Sequence, residues 1–278
     1  MSTKRARPSV ESLLHSSASS FKRRDIDALK VRYQTASESN VIPAVEARGF
    51  PDKYVVPGVD RQVLERQDLD INQLGITNNH VNTFIRKLNR VVVNAGAERD
   101  TAELLTDSLV LHLLIRAMKM DCWPLLTDVH PQYCLFIDGE PYVSAVPEFV
   151  IKKENCTVAV IEHFKNAHAT TGFGETQIAA EMLSCASMNI QAYDNKKDYT
   201  SQLIFAVRVI SSCVTFYKAV ISVEYLQELD KGLPVENSVV IERWPGEGGR
   251  RDGLDLANPA QRRRVLEALT KIRHFLCQ

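Results

Sequence analysis

The chain changes texture at Pro124, and that change restricts its fold more than any other feature. Before it, "GITNNHVNTFIRKLNRVVVNAG" predicts a helix from about Asn79 to near Gly96. "RDTAELLTDSLVLHLLIRAMKM" predicts a stronger one, with leucines at helical spacing. Thr101 or Asp100 can cap its start, and Glu103 falls in the first turn, where the helix dipole favours an acid. After Pro124 come β-rich runs: "QYCLFID", "YVSAVPEFVIKK" and "CTVAVIEHF". "DGEP" separates the first two, and "KKEN" joins the last two as a hairpin. "GETQIAAEMLSCASMNIQAY" then interrupts as a helix, with Gly174 and Glu175 at its start. "QLIFAVRVISSCVTFYKAV" reads as one or two strands, "SVEYLQELDKG" as a short helix capped by Ser222 and ended by Gly232, and "PVENSVVIERW" as a strand. "NPAQRRRVLEALTKIRHFLC" predicts a closing helix with Asn258 as cap and Pro259 at the first position. Helices, three strands, helix, two strands, short helix, strand and helix make an α/β (α+β) fold: a central mixed sheet flanked by helices.

Composition limits the function classes. Lys plus Arg equal Asp plus Glu, so any basic surface must be local. No apolar run reaches the roughly 18 residues that suggest a membrane span. No apolar segment of signal-peptide type stands near residue 1, and six widely spaced cysteines form no CxxC pair and no zinc-finger set. These features predict an intracellular protein with reduced, mostly buried thiols and no membrane partner. Residues 1–24 hold six Lys/Arg and one Glu among many serines, which predicts a flexible basic tail. Its clusters "KRAR" and "FKRR" suit nuclear import or a phosphate-binding arm. Residues 25–95 read as a helical or irregular extension, with short helices or an irregular wrap up to about Asp70. Residues 96–278 then form the main domain.

The chemistry concentrates in "EFVIKKENCTVAVIEHFK", Glu148 to Lys165. Side chains alternate along a strand, so Glu162 and Phe164 share one face while His163 and Lys165 share the other. With a turn near residue 154, Glu148 lies across from residues 160 to 162. Two carboxylates then converge at one end of the sheet. Such a pair suits Mg²⁺ or Mn²⁺, hard cations that prefer oxygen ligands.

These residues resemble the PD-(D/E)XK, or restriction-endonuclease-like, nuclease core. The resemblance runs in order through Glu103, "PEF…IEHFK" and Gln177 of "GETQIAAEM", and covers about residues 95 to 275. The part from "VISSCVTFYKAVISVEYL" onward is also similar to trailing segments of fungal and oomycete proteins, including crinkler-type effector domains. The resemblance implies a metal-dependent nuclease acting on DNA or RNA. In it Glu148 and Glu162 bind the metal, and a carbonyl near His163 adds a ligand. A lysine orients the attacking water and stabilises developing charge. Glu103 acts through a water on the metal, and Gln177 contacts substrate or positions the lysine. This chain departs from the pattern at two positions: Glu148 stands where the family more commonly has Asp, a tolerated change, and the lysine is displaced. The family's lysine falls where Phe164 stands, and Lys165 comes one residue later. A β-bulge after Glu162 would turn Lys165 inward, and Lys152 or Lys153 offers a substitute. The other reading is a catalytically inactive nuclease-fold protein that binds nucleic acid or a protein partner, a second copy of itself included.

Other features have plainer readings. His163 and His168 flank the site as structural or exposed imidazoles, and "ATTGFGET" is a glycine-containing loop without the P-loop pattern. "RWPGEGGRRDG" is a solvated basic loop, the arginine run at 262–264 an exposed helix face, and Trp123 and Trp244 packing anchors.

Overall fold

The computed structural model describes residues 14–95, 99–154, 156–163, 174–191, 199–247 and 252–278, and over 99–103 and 156–163 the backbone alone. Its strands are β1 (Val31–Thr35), β2 (Leu125–Val129), β3 (Tyr133–Ile137), β4 (Glu140–Ala145), β5 (Phe149–Lys153), β6 (Cys156–His163), β7 (Gln202–Ile210), β8 (Cys213–Ile221), β9 (Val239–Trp244) and β10 (Leu254–Asp255). Its helices are α1 (Arg23–Ala28), α2 (Glu38–Val41), α3 (Arg61–Leu64), α4 (Asn79–Val93), α5 (Arg99–His112), α6 (Glu175–Gln191), α7 (Val223–Leu229) and α8 (Pro259–Leu276). A π-helical turn over Leu113–Ala117 continues α5.

The main sheet runs β1-β9-β8-β7-β6-β5-β2, with β10 on β8. It is mixed, as expected: β6–β7 and β1–β9 are parallel, and β2–β5, β5–β6, β7–β8 and β8–β9 antiparallel. The β6–α6–β7 crossover makes the central parallel pair, since a parallel return needs a long connection.

The sheet separates two apolar layers. One face carries Phe149, Ile151, Phe205, Val207 and Phe216 and packs against Leu88 of α4, Leu109 of α5 and Leu269 of α8. The other carries Val150, Ile204, Ala206, Tyr217 and Ile241 and packs against α6. Helix α6 is apolar or small almost all round, the pattern of a helix covered on every side. The separate β3–β4 hairpin closes its far side, and Ser187 of α6 accepts the Phe136 N–H at 3.1 Å.

Several expectations are revised. "YVSAVPEFVIKK" is two strands in different sheets, because Pro147 cannot donate to a ladder. Strand β2 is short, with two adjacent polar residues, Thr127 and Asp128, and is not among the expected strands, and β1 sits inside the stretch read as irregular wrap. The chain from Leu14 to Arg24, expected within a flexible tail, is packed: Leu14, Ala18 and Phe21 join the α6 layer, and Asp25 accepts from the His15 N–H at 2.9 Å. Nor does residue 95 divide two bodies, since β1 belongs to the main sheet. Arg262 is fully buried and not on an exposed face. Trp123 is 77% exposed, whereas Trp244 stacks on Phe216. Among the described cysteines only Cys185 is buried. No helix of the described residues is long and apolar enough to cross a membrane.

Candidate active site

Parallel strands in a mixed sheet leave their carboxyl ends and the following loop open, and ligands bind there. Here that end belongs to β6 and β7. The antiparallel neighbour β5 brings its first residue to the same end, and β2 its last. Phe149 pairs with Ile161, so one step further positions 148 and 162 stand opposite each other. Glu162 in turn pairs with Arg208 of β7, and Arg208 with Thr215 of β8. Four adjacent strands therefore carry Glu148, Glu162, Arg208 and Thr215 in one row. The β5–β6 ladder does contain a bulge, but between Ile151 and Lys152, near the turn.

Glu148 is held in place from β2's end. His130 Nδ1 lies 3.0 Å from its Oε2, and the His130 N–H donates to its carbonyl, also at 3.0 Å. The carboxylate retains 18% exposure. Arg208 is 1% exposed. It donates to Thr215 Oγ1 at 3.2 Å, and its guanidinium carbon lies 5.8 Å from the Tyr217 ring centroid.

The start of α6 caps this row. Glu175 takes a two-pronged bond from Arg243 Nη1, at 2.9 and 2.8 Å to its two oxygens, and Tyr217 Oη donates to it at 3.2 Å. Tyr33 Oη donates to the Glu175 backbone carbonyl. Burial raises the Glu175 pKa, and the Arg243 and Arg208 charges oppose that rise. Burial also pushes Tyr33 and Tyr217 well above the ordinary phenol value, so both keep their protons and act as donors. Two residues along α6, Gln177 Nε2 donates to Glu181 Oε1 at 2.8 Å, and Glu181 is fully buried.

The same end opens into a cleft of about 520 Å³ beside the β7–β8 turn. Ser212, Cys213, Asp255 and Arg61 line it, with Ala95 from the approach to α5. Arg61 bridges Asp255 at 2.8 Å, and Ser212 Oγ donates to Asp255 at 2.7 Å.

Of the expected site residues, Glu148 and Gln177 lie at this end, and Glu162 is in register between Glu148 and Arg208. Glu103 is on α5, whose leucines pack on the opposite face of the sheet from α6. Phe164, Lys165 and His168 lie outside the described residues. The substitute lysines do not reach the site. Lys152 is four residues along β5 from Glu148, about 13 Å at the usual strand rise, and it pairs with Asp128 at 2.6 Å. Lys153 is further still, opposite Cys156 at the turn. Arg208, Glu175 and Arg243 were not among the expected residues. The signal for Arg208 is a lone charge inside the apolar run "QLIFAVRVI"; a charge at such a position must be paired or functional.

Among the described residues no group of three or more His, Cys, Asp or Glu side chains is arranged to hold a metal ion, and Glu162 contributes only its backbone to that description. No family model and no curated protein matches this chain.

Proposed function

We propose that the chain is a metal-dependent nuclease-like phosphodiesterase acting on DNA or RNA at the carboxyl end of β6 and β7. One observation carries the reading: the row of Glu148, Glu162 and Arg208 on three adjacent strands, beneath the start of α6. The donor set fits Mg²⁺ or Mn²⁺, because both acids offer carboxylate oxygens and neither cation needs nitrogen or sulfur. Glu148 and Glu162 would hold the ion. When bound, such an ion supplies electrophilic stabilisation to a phosphoryl group.

The chain's own groups have distinct tasks. His130 fixes the Glu148 carboxylate from behind, which orients an oxygen ligand. Arg208 takes the part assigned to the family's lysine in stabilising charge. Its fork suits phosphate oxygens, and Thr215 and the Tyr217 ring hold it before substrate arrives. It cannot serve as a base, because a guanidinium keeps its proton.

A second reading, a nuclease-fold module that binds without cutting, is favoured by position 164. Phe164 stands where the resemblance wants a lysine, and Lys152 is held by Asp128. Labelled single- and double-stranded DNA and RNA, incubated with Mg²⁺ or Mn²⁺, separate the readings. The nuclease reading expects cleavage by the native chain and at least a hundredfold loss in Glu162→Ala. Cleavage that persists in Glu162→Ala removes this site. No cleavage by the native chain, with no metal binding by calorimetry, selects the binding module.

A further inference from the structure

A second cavity lies at the other end of the sheet. Residues 116–119 follow α5 and precede β2, whose first residue, Leu125, pairs with Lys153 at the turn end of the β5–β6 hairpin. The cavity measures about 260 Å³. Three segments distant in sequence build it: Gly49 to Tyr54, Arg116 to Lys119, and Thr270 with Arg273 of α8.

Its charge is one-sided. Lys53, Arg116, Lys119 and Arg273 line it, and no acid does. The acids nearest in sequence are engaged elsewhere. Asp52 holds Arg263 at 2.6 Å, Glu46 holds Arg48 at 3.0 Å, and Asp121 accepts the Thr127 N–H at 3.1 Å. None of the four cations has a carboxylate partner among the described residues. Arg273 Nε donates only to the Lys119 carbonyl, at 3.3 Å, and Lys53 Nζ stands 5.6 Å from the centroid of the Tyr54 ring.

The floor of the cavity supplies an independent observation. Tyr54 is 1% exposed, and its hydroxyl is buried with no hydrogen-bond partner among the described residues. Leaving such a group unpaired is unfavourable, and buried polar groups nearly always have a partner. Burial raises its pKa while the nearby Arg116 charge opposes the rise, so the hydroxyl keeps its proton as a donor. Helix-end electrostatics explain Arg273, in the last turn of α8, and Arg116, in the last turn of the π-helical continuation of α5, where the dipole welcomes a cation. They do not explain Lys53 or an orphaned buried hydroxyl.

We infer that this cavity is a binding site for a phosphate monoester, with Tyr54 Oη as a buried donor and Lys53, Arg116, Lys119 and Arg273 as its counter-charges. The volume falls below the roughly 300–1,000 Å³ of sites that take drug-sized ligands, so the occupant is small. Four cations against no acid suit a group carrying about −1.5 to −2 charges at neutral pH, which a phosphate monoester does and a diester or carboxylate does not. Guanidinium forks match phosphate oxygens.

Calorimetry and thermal melts test this in phosphate-free buffer, with chloride matched for ionic strength. The probes are inorganic phosphate, a nucleoside 5′-monophosphate, and a short oligonucleotide without terminal phosphates. Inorganic phosphate and the monophosphate are expected to bind and to raise the melting midpoint above the chloride control. Arg116→Gln is expected to weaken both by at least tenfold, and Tyr54→Phe by several-fold. Without phosphate, Tyr54→Phe is expected to melt at or above the native chain, since it deletes an unpartnered buried hydroxyl. No binding by the native chain overturns the site. So does equal binding by native chain, Arg116→Gln and Tyr54→Phe, or binding by the oligonucleotide alone.

Discussion

Single residues decide more of this molecule's chemistry than its motifs do. Arg208 is one charge in an apolar strand, yet it joins the row of acids to the polar cluster beneath α6. Its importance depends on register, and register depends on long-range pairing that no local pattern encodes. His112 is a second case, near Tyr54 at a ring separation of 6.4 Å. Its Nε2 lies 3.0 Å from the His80 carbonyl. Burial lowers the His112 pKa, and Lys87 and Arg116 push the same way, while the His80 carbonyl opposes them. The folded state therefore binds this proton less readily than the unfolded chain. Stability from His112 is complete above the unfolded pKa of about 6.5 and is lost as pH falls through the lower folded value. His112→Gln keeps an N–H donor for the carbonyl and cannot titrate. Urea midpoints at pH 7 and pH 5 should fall less in that variant than in the native chain; equal falls would show that His112 carries none of the slope.

Elements were largely legible. Helix α4 begins at Asn79 behind Asn78, whose side chain accepts the His80 and Val81 N–H groups. Asn258 and Pro259 start α8 as their types predict, with the Asn258 side chain accepting from Ala260 and Gln261. What local sequence does not state is which face of a helix gets covered, and the arginine run of α8 shows why. Arg263 and Arg264 are surface residues, paired with Asp52 and Glu38. Arg262 points inward, and its guanidinium donates to the carbonyls of Val55, Val59 and Leu256 at 2.6, 2.7 and 2.6 Å. Burial lowers its pKa to about 10. The arginine thus does for the 52–64 wrap what a strand partner would do, satisfying carbonyls that belong to no regular element. Arg262→Met should cost about 2–4 kcal/mol, because it strands three acceptors. Denaturant titration should show the midpoint fall with the slope unchanged, whereas a loss under about 0.5 kcal/mol would mean the wrap holds without it.

At the scale of the whole molecule, the N-terminal segment is part of the fold. Strand β1 pairs with β9 from Val31↔Val239 to Thr35↔Arg243, and the Phe21 carbonyl accepts the Thr176 hydroxyl at 2.9 Å. Phe21 is 2% exposed. A phenylalanine in a flexible tail would be indifferent to truncation, but one packed on α6 would not. Phe21→Ala should lower stability by about 3–4 kcal/mol, read by chemical denaturation; a change within about 0.5 kcal/mol would return residues 14–24 to the tail. The same packing changes the reading of "FKRR". Its phenylalanine is core, and Arg23 is already paired with Asp27 on the surface of α1.

The amino-acid sequence alone determined the α+β class, most helices, the caps at Ser222 and Asn258, the hairpin at residue 154, and the meeting of Glu148 with position 162; it placed the cap of α5 at Asp100 or Thr101, both of which lie inside the helix that runs from Arg99. Each follows from period, propensity or turn chemistry within a short window. Tertiary structure alone decided that β1 joins the sheet, that Arg262 is buried, that Arg208 stands beside Glu162, and that four cations line one cavity with Tyr54. Those facts depend on contacts between residues as much as two hundred positions apart. Burial and charge pairing there are set by the packing of whole layers, and no local window contains that information.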